Sequence, residues 1–220
     1  MMKRFCLACA LVLALALPAQ AEVNGVYGGI KFIDSIQSTG NTSVSSDTDN
    51  ITDQYSQNSV GGGLFAGYDF YPKFQVPLRA ELEYAIRSNT QTTWSQNYNF
   101  SDGSHSAELK GEWNLQTLFF NAYYDFHNST DFTPYIGAGA GLGFISNKYT
   151  EYRDGNEVDS RNKMNTVFAW NVGVGASYAF NENISADLGY RFVGLGENKV
   201  DGLKTNPYAN ELSLGVRFTF

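Results

Sequence analysis

Eight segments of the sequence alternate apolar and polar residues with a period of two, and this pattern restricts the possible folds more than any other feature. In PLRAELEYAIR (77–87), Leu78 and Leu82 fall on one face, whereas Arg79 and Glu83 fall on the other. Such alternation predicts a β-strand with one apolar face. The eight segments are 23–32, 60–70, 77–87, 118–126, 134–144, 167–180, 184–192 and 210–220.

The lengths of these segments and of the connections between them indicate a membrane barrel. About ten residues suffice for a tilted strand to cross a bilayer. Short turns at one end and long polar loops at the other are typical of outer-membrane barrels. The short connections are 71–76, 127–131 and 181–183, and the long ones are about 34–59, 88–112, 148–164 and 196–209. The sequence therefore predicts an all-β fold: an eight-stranded antiparallel transmembrane up-and-down β-barrel with short periplasmic turns and four long extracellular loops.

The start of the sequence has the features of a secretory signal peptide. The charged stretch MMKR precedes a short apolar run, and Ala19 and Ala21 form a small-x-small cleavage site. We therefore expect residues 1–21 to be removed and residues 22–220 to form one barrel domain. After residue 21 no apolar run is long enough for a membrane helix.

Removal of residues 1–21 also changes the chemistry of the chain. Cys6 and Cys9 would be lost, so the barrel would contain no disulfide. Loss of Lys3 and Arg4 from the 15 basic residues leaves 13 against 22 acidic ones, a net charge of −9. An acidic exported chain of this kind is not expected to bind nucleic acid.

The last segment ends in a pattern that resembles the signal by which outer-membrane barrels are recognised for assembly. Its alternating residues are Leu212, Leu214, Val216, Phe218 and Phe220. Every second segment ends in aromatic residues, which are typical of a membrane interface. We therefore expect these ends, and both termini, to lie on the periplasmic side.

Three stretches carry a resemblance to a known family. NAYYDF (121–126), TPYIGAGAGLGF (133–144) and the terminal VRFTF (216–220) are similar to opacity-type surface antigens and porin-like small outer-membrane β-barrels. The resemblance implies the outer membrane of a Gram-negative bacterium and a surface antigen with an adhesin-like or envelope-structural role. The implied partners are outer-membrane lipid, lipopolysaccharide, the barrel-assembly machinery and a host-cell ligand bound through the long loops.

The predicted inward faces carry nearly balanced charge, five positive and six negative. These residues are Lys31, Asp69, Arg79, Glu81, Glu83, Arg87, Asp125, Asp187, Arg191, Glu211 and Arg217. An eight-stranded barrel is just wide enough for side chains to fill it, and buried charges require partners. We expect an ion-pair network that closes the lumen. The alternative is a small porin with a narrow path along Arg79, Glu83 and Arg191.

The glycines of PYIGAGAGLGF (134–144) are predicted to face the lumen. Gly137, Gly139, Gly141 and Gly143 alternate with apolar residues, and no GxGxxG spacing occurs. A glycine normally weakens a strand, so its use here would be to leave room for Arg and Tyr side chains of neighbouring strands.

Other motifs do not predict an enzyme or a cofactor. His127 precedes Ser129 in a turn on the predicted periplasmic side, which is the wrong side for a lipid A-modifying enzyme, and His105 lies in a long loop. The acidic stretch 46–54 lacks the Gly and Glu positions of a calcium-binding EF-hand loop. The charged stretch 151–163 is predicted to be a hairpin tip with an Asp-Gly turn, open to a host or lipopolysaccharide partner. We expect no metal and no cofactor.

Overall fold

The computed structural model describes residues 25–38, 42–44, 56–100, 103–153, 155–200 and 203–220. The predicted signal peptide, with its cleavage site at Ala19 and Ala21, and the acidic stretch 46–54 lie outside these residues. Within the described chain, no helix is long and apolar enough to cross a bilayer.

Eight long antiparallel strands form a closed barrel. Each of these strands pairs with its neighbours along the chain, and the first also pairs with the last, which closes the ring. The strands are β1 (Val26–Ser38), β3 (Ser56–Asp69), β4 (Leu78–Arg87), β6 (Gly103–Asp125), β7 (Phe132–Arg153), β8 (Asn156–Ala179), β9 (Ile184–Leu195) and β12 (Tyr208–Thr219). The predicted eight-stranded antiparallel barrel is confirmed.

The two ends of the barrel differ, as the lengths of the connections in the sequence predicted. At one end, termed the turn end, the connections are short, and the first contains a one-turn helix, α1 (Tyr71–Phe74). The opposite end is termed the loop end. Aromatic pairs line the turn end at ring distances of 4.9 to 5.3 Å, as between Tyr124 and Phe126 or Tyr178 and Phe180. These pairs form the expected aromatic girdle.

The outward face of the wall is apolar. Leu82 is 55% exposed, Val174 55% and Leu214 56%, and similar residues lie on every strand of the barrel. A soluble monomer rarely exposes more than a few hundred Å² of contiguous apolar surface. The outward face is therefore an apolar belt suited to lipid contact.

The long connections differ from the prediction because they contain paired strands. The strand β5 (Thr90–Phe100) pairs with β6, while β6, β7 and β8 continue past the belt as paired strands, with one register shift between β7 and β8 at Glu151 and Tyr152. This four-stranded extension is termed the outer sheet. Its strands are polar on both faces, so they carry no period-two apolar signal although their backbone hydrogen bonds are those of a sheet.

Two of the remaining connections also pair with each other. The short strands β10 (Asn198–Val200) and β11 (Leu203–Thr205) form a three-stranded sheet with β2 (Thr42–Val44). The predicted loops of about 34–59 and 196–209 therefore meet at the loop end.

Candidate functional site

A chain of alternating charges runs through the lumen. Lys31 Nζ lies 2.6 Å from Glu83 Oε2, and Arg191 Nη2 lies 2.8 Å from Glu83 Oε1. Arg191 also pairs with Glu211 at 2.8 Å, and Glu211 Oε1 lies 2.5 Å from Arg87 Nε. The Glu83 and Glu211 side chains have no exposed surface, so each carboxylate is desolvated between two cations.

Neighbouring polar groups extend this chain. Lys31 Nζ lies 3.3 Å from Glu81 Oε1, which also accepts a hydrogen bond from the Tyr123 hydroxyl at 3.2 Å. At the other end, Ser35 donates a hydrogen bond to Glu211 at 3.0 Å. The network thus joins strands on opposite sides of the barrel.

A second ion pair lies towards the turn end. Arg79 donates two hydrogen bonds to Asp125, at 2.6 and 2.9 Å, in a bidentate arrangement. The guanidinium also lies 4.8 Å from the ring centre of Tyr123 and 5.1 Å from that of Tyr135. Cation–π contact with these rings adds to the charge pairing.

Of the three remaining charges on the predicted list, two pair with each other and the third does not. Asp187 lies 3.6 Å from Arg217, which also donates hydrogen bonds to Ser185 and Ser177. Asp69 accepts a hydrogen bond from the Tyr71 amide at 2.9 Å, in the first turn connection. The structure thus brings ten of the eleven predicted charges into ion pairs, whereas Asp69 forms a hydrogen bond within the turn.

One side of the lumen nearer the loop end is apolar, and the sequence did not predict this cluster. A buried cluster fills this region on one side of the barrel, and Trp113 and Val167 pack against it. Its members are Leu115, Phe119, Ile145, Ala169, Val193, Leu195 and Ala209. Continuing the period-two pattern beyond the segment ends at 192 and 118 would have identified Val193 and Leu115 as inward-facing.

The space left inside the barrel is small. Two cavities of about 20 and 40 Å³ lie between the ionic groups, and Lys31, Tyr123 and Tyr135 line both. One water molecule needs at least about 10–15 Å³ of such space. Each of these two cavities therefore has room for only about one to four water molecules.

The glycines of β7 face inward and accommodate neighbouring side chains. An added Cβ at Gly137 would lie 2.4 Å from the Tyr123 ring, and one at Gly139 would lie 2.0 Å from the Asn121 side chain. The glycines of β7 therefore leave the expected room for a tyrosine side chain. Room for an arginine is instead left by Gly173 on β8, which lies next to Arg191 on β9.

The histidines considered in the sequence lie apart from the network. The His127 ring stacks on Tyr71 at 3.7 Å at the turn end. His105 lies on β6 within the outer sheet, and its side chain is outside the described part of the structure. The stretch 151–163 forms the tip of the β7–β8 hairpin, where Gly155 has a φ of +78°.

Known proteins share this architecture. The family model described as outer membrane protein beta-barrel domain matches residues 7–220. Outer membrane protein PagN of Salmonella typhimurium is 34% identical over 242 positions that cover 100% of both chains. Opacity protein opA66 of Neisseria gonorrhoeae is 26% identical, with 74% of this chain and 79% of that protein covered.

A solved structure agrees with the fold. Neisserial surface protein A superposes with a TM-score of 0.55 at 23% identity, covering 89% of this chain and 97% of that chain. The resemblance to opacity-type proteins and small outer-membrane barrels is confirmed, and so is the localisation in the outer membrane of a Gram-negative bacterium. The match to nearly the whole sequence shows that the chain belongs to the outer membrane protein beta-barrel domain family.

Proposed function

We propose that this outer-membrane surface protein acts through its loop end as an adhesin-like or envelope-structural protein, with a lumen that passes no solute. The observation that carries the proposal is the contrast between the two parts of the molecule. The lumen is filled by ion pairs and an apolar cluster, whereas the outer sheet extends long polar strands beyond the belt. The surface available to a partner outside the cell is therefore the loop end.

The filled lumen favours this role over a small porin. The alternative solute path along Arg79, Glu83 and Arg191 would have to pass charges that are already paired. Moving a solute there would require breaking buried ion pairs, which costs several kcal/mol each, on the order of 3–5 kcal/mol.

A non-enzymatic role is also part of the proposal. The His127 ring is stacked on Tyr71 at the turn end, and its neighbour Asn128 accepts hydrogen bonds from Thr130. This arrangement supports a structural role in the turn. A comparison of lipid A by mass spectrometry, with and without the gene, tests this part, since a changed lipid A would contradict it.

The orientation and the partners complete the proposal. We propose that both ends of the mature chain lie in the periplasm, that residues 1–21 are removed, and that the strand ending at Phe220 is read by the barrel-assembly machinery. The proposed ligand outside the cell is a host-cell surface molecule. The acyl chains of the outer membrane contact the belt.

Shortening the β7–β8 hairpin is expected to reduce adhesion. Thr150 pairs directly with Ser160, so replacing residues 151–159 with Asn-Gly leaves a two-residue hairpin. Bacteria that express this variant should adhere to an epithelial monolayer at least about tenfold less than wild type, because multivalent attachment falls steeply when contacts are lost.

Corresponding truncations of the other three long connections complete the experiment. Heat-modifiable migration in gels checks that every variant still forms a barrel. Lys73→Ala, at the turn end, is the control variant, and adhesion is compared at equal amounts of protein on the cell surface. If all four truncated proteins support wild-type adhesion at equal surface amounts, the adhesin-like role is wrong.

A further inference from the structure

An open groove of about 240 Å³ lies on the outward side of the wall, where β6, β7 and β8 leave the apolar belt. Its lining is polar and varied, with amide, hydroxyl, carboxylate and ammonium groups. The polar residues that matter most are Glu112, Asn114, Gln116, Ser146, Lys148 and Asn162. This groove lies outside the lumen and below the tip of the hairpin.

The position of the groove is fixed by strand register. On β6 the outward residues run from Phe120 and Leu118 to Gln116, moving towards the loop end, and Gln116 pairs with Phe144 on β7. The change from apolar to polar residues occurs on one continuous outward face. The groove therefore begins where the belt ends, at the level of the lipid headgroups of the outer leaflet.

Part of the groove is held in place by hydrogen bonds. The Tyr84 hydroxyl donates to Gln116 Oε1 at 2.7 Å, and Gln116 Nε2 donates to Asn114 Oδ1 at 3.2 Å. Asn114 Nδ2 donates in turn to the Arg87 carbonyl at 2.6 Å. Fixed amide groups of this kind reduce the entropy lost when a ligand binds.

The remaining groups supply charge and apolar contact. Lys148 is exposed and lies directly opposite Glu112 in the β6–β7 ladder. Met164, 65% exposed, lines the groove on β8, and Phe168, 59% exposed, follows it on the same outward face towards the belt. The groove thus combines a cation with polar groups above an apolar surface.

We propose that this groove binds the headgroup of the outer-leaflet glycolipid, with a lipopolysaccharide phosphate at Lys148 and sugar hydroxyls at Asn114, Ser146 and Asn162. The acyl chains of the same molecule lie along Phe168 and Leu142, which is 42% exposed. A carboxylate such as Glu112 accepts hydrogen bonds from sugar hydroxyls. Phospholipid headgroups offer fewer hydroxyls to these amides than the sugars of a glycolipid do.

The test compares lipid binding by two lysine variants. Folded protein in detergent is titrated with rough lipopolysaccharide, which lacks the O-antigen, and bound lipid is counted by native mass spectrometry. Lys148→Ala should weaken binding about tenfold, the loss of one charge-assisted contact. Lys163 is the matched control, because it is exposed on the adjacent strand and lies on the opposite face of the outer sheet, so Lys163→Ala should leave binding unchanged.

Two further comparisons distinguish glycolipid binding in the groove from binding that follows total charge and from phospholipid binding. Asn162→Ala should weaken binding of rough lipopolysaccharide but not of phosphatidylglycerol, since only the glycolipid offers sugar hydroxyls. Equal losses in Lys148→Ala and Lys163→Ala would overturn the site, because the binding would then follow total charge. Equal losses for lipopolysaccharide and phosphatidylglycerol in both groove variants would overturn the glycolipid assignment.

Discussion

Glu83→Ala is expected to lower the free energy of unfolding by about 3–5 kcal/mol, the cost of removing one charge from a buried ion-pair network. Glu83 has no exposed surface and lies 2.6 Å from Lys31 and 2.8 Å from Arg191. Removing the carboxylate leaves Lys31 with Glu81 alone and Arg191 with Glu211 alone, and it removes the negative charge between the two cations. Urea-induced unfolding of protein refolded into lipid vesicles measures the change.

Two further variants separate charge from volume. Glu83→Gln keeps the size of the side chain and should lose most of the same free energy, because the charge is what the two cations require. Glu151→Ala is the surface control: its pair with Arg153 is 39% and 70% exposed, so the loss should be roughly 0–1 kcal/mol. If Glu83→Gln and Glu83→Ala both unfold within about 1 kcal/mol of wild type, the ion-pair network does not stabilise the barrel.

Gly141→Val is expected to destabilise the barrel by about 3 kcal/mol, the upper end of the cost of overpacking. An added Cβ at Gly141 would lie 1.9 Å from the carbonyl oxygen of Leu118 and 2.9 Å from the Phe119 Cα. Both contacts are with backbone, which cannot rotate away as a flexible side chain could. The same urea unfolding experiment gives the free energy, and the heat-modifiable fraction reports protein that fails to fold.

The adjacent residue provides the control for this substitution. Ala140 lies on the outward face, so Ala140→Val places the same valine side chain towards lipid. Valine favours strands over both alanine and glycine, and propensity alone therefore predicts a gain at both positions. If the Gly141→Val variant were as stable as the Ala140→Val variant, the inward glycines would not be needed to leave room for neighbouring residues.

The barrel wall was predictable from sequence because each strand has one lipid face. The alternation of Leu78, Leu82 and Ile86 with charged residues survives in the structure without a change of register. The outer sheet was predicted as loops because its strands carry mostly polar residues on both faces. Strand pairing there depends on backbone hydrogen bonds, which leave no pattern in the side chains.

The lumen was predictable in composition but not in pairing. Alternation identifies Arg79, Asp69 and Asp125 as inward-facing, yet Asp69 is the direct cross-strand neighbour of Arg79, and the ion pair forms with Asp125. Which carboxylate pairs with Arg79 depends on how the strands are staggered around the ring. Part of the apolar cluster was missed because Val193 and Ala209 lie one residue beyond the predicted segment ends.

Single-channel recording tests most directly whether the lumen beneath the exposed loop end is closed. Folded monomer inserted into a planar lipid bilayer should give no stable conductance, because paired charges cross the lumen and the two cavities among them have room for only a few water molecules. Brief, rare openings are consistent with a filled lumen. A stable, large conductance from the folded monomer would contradict the account.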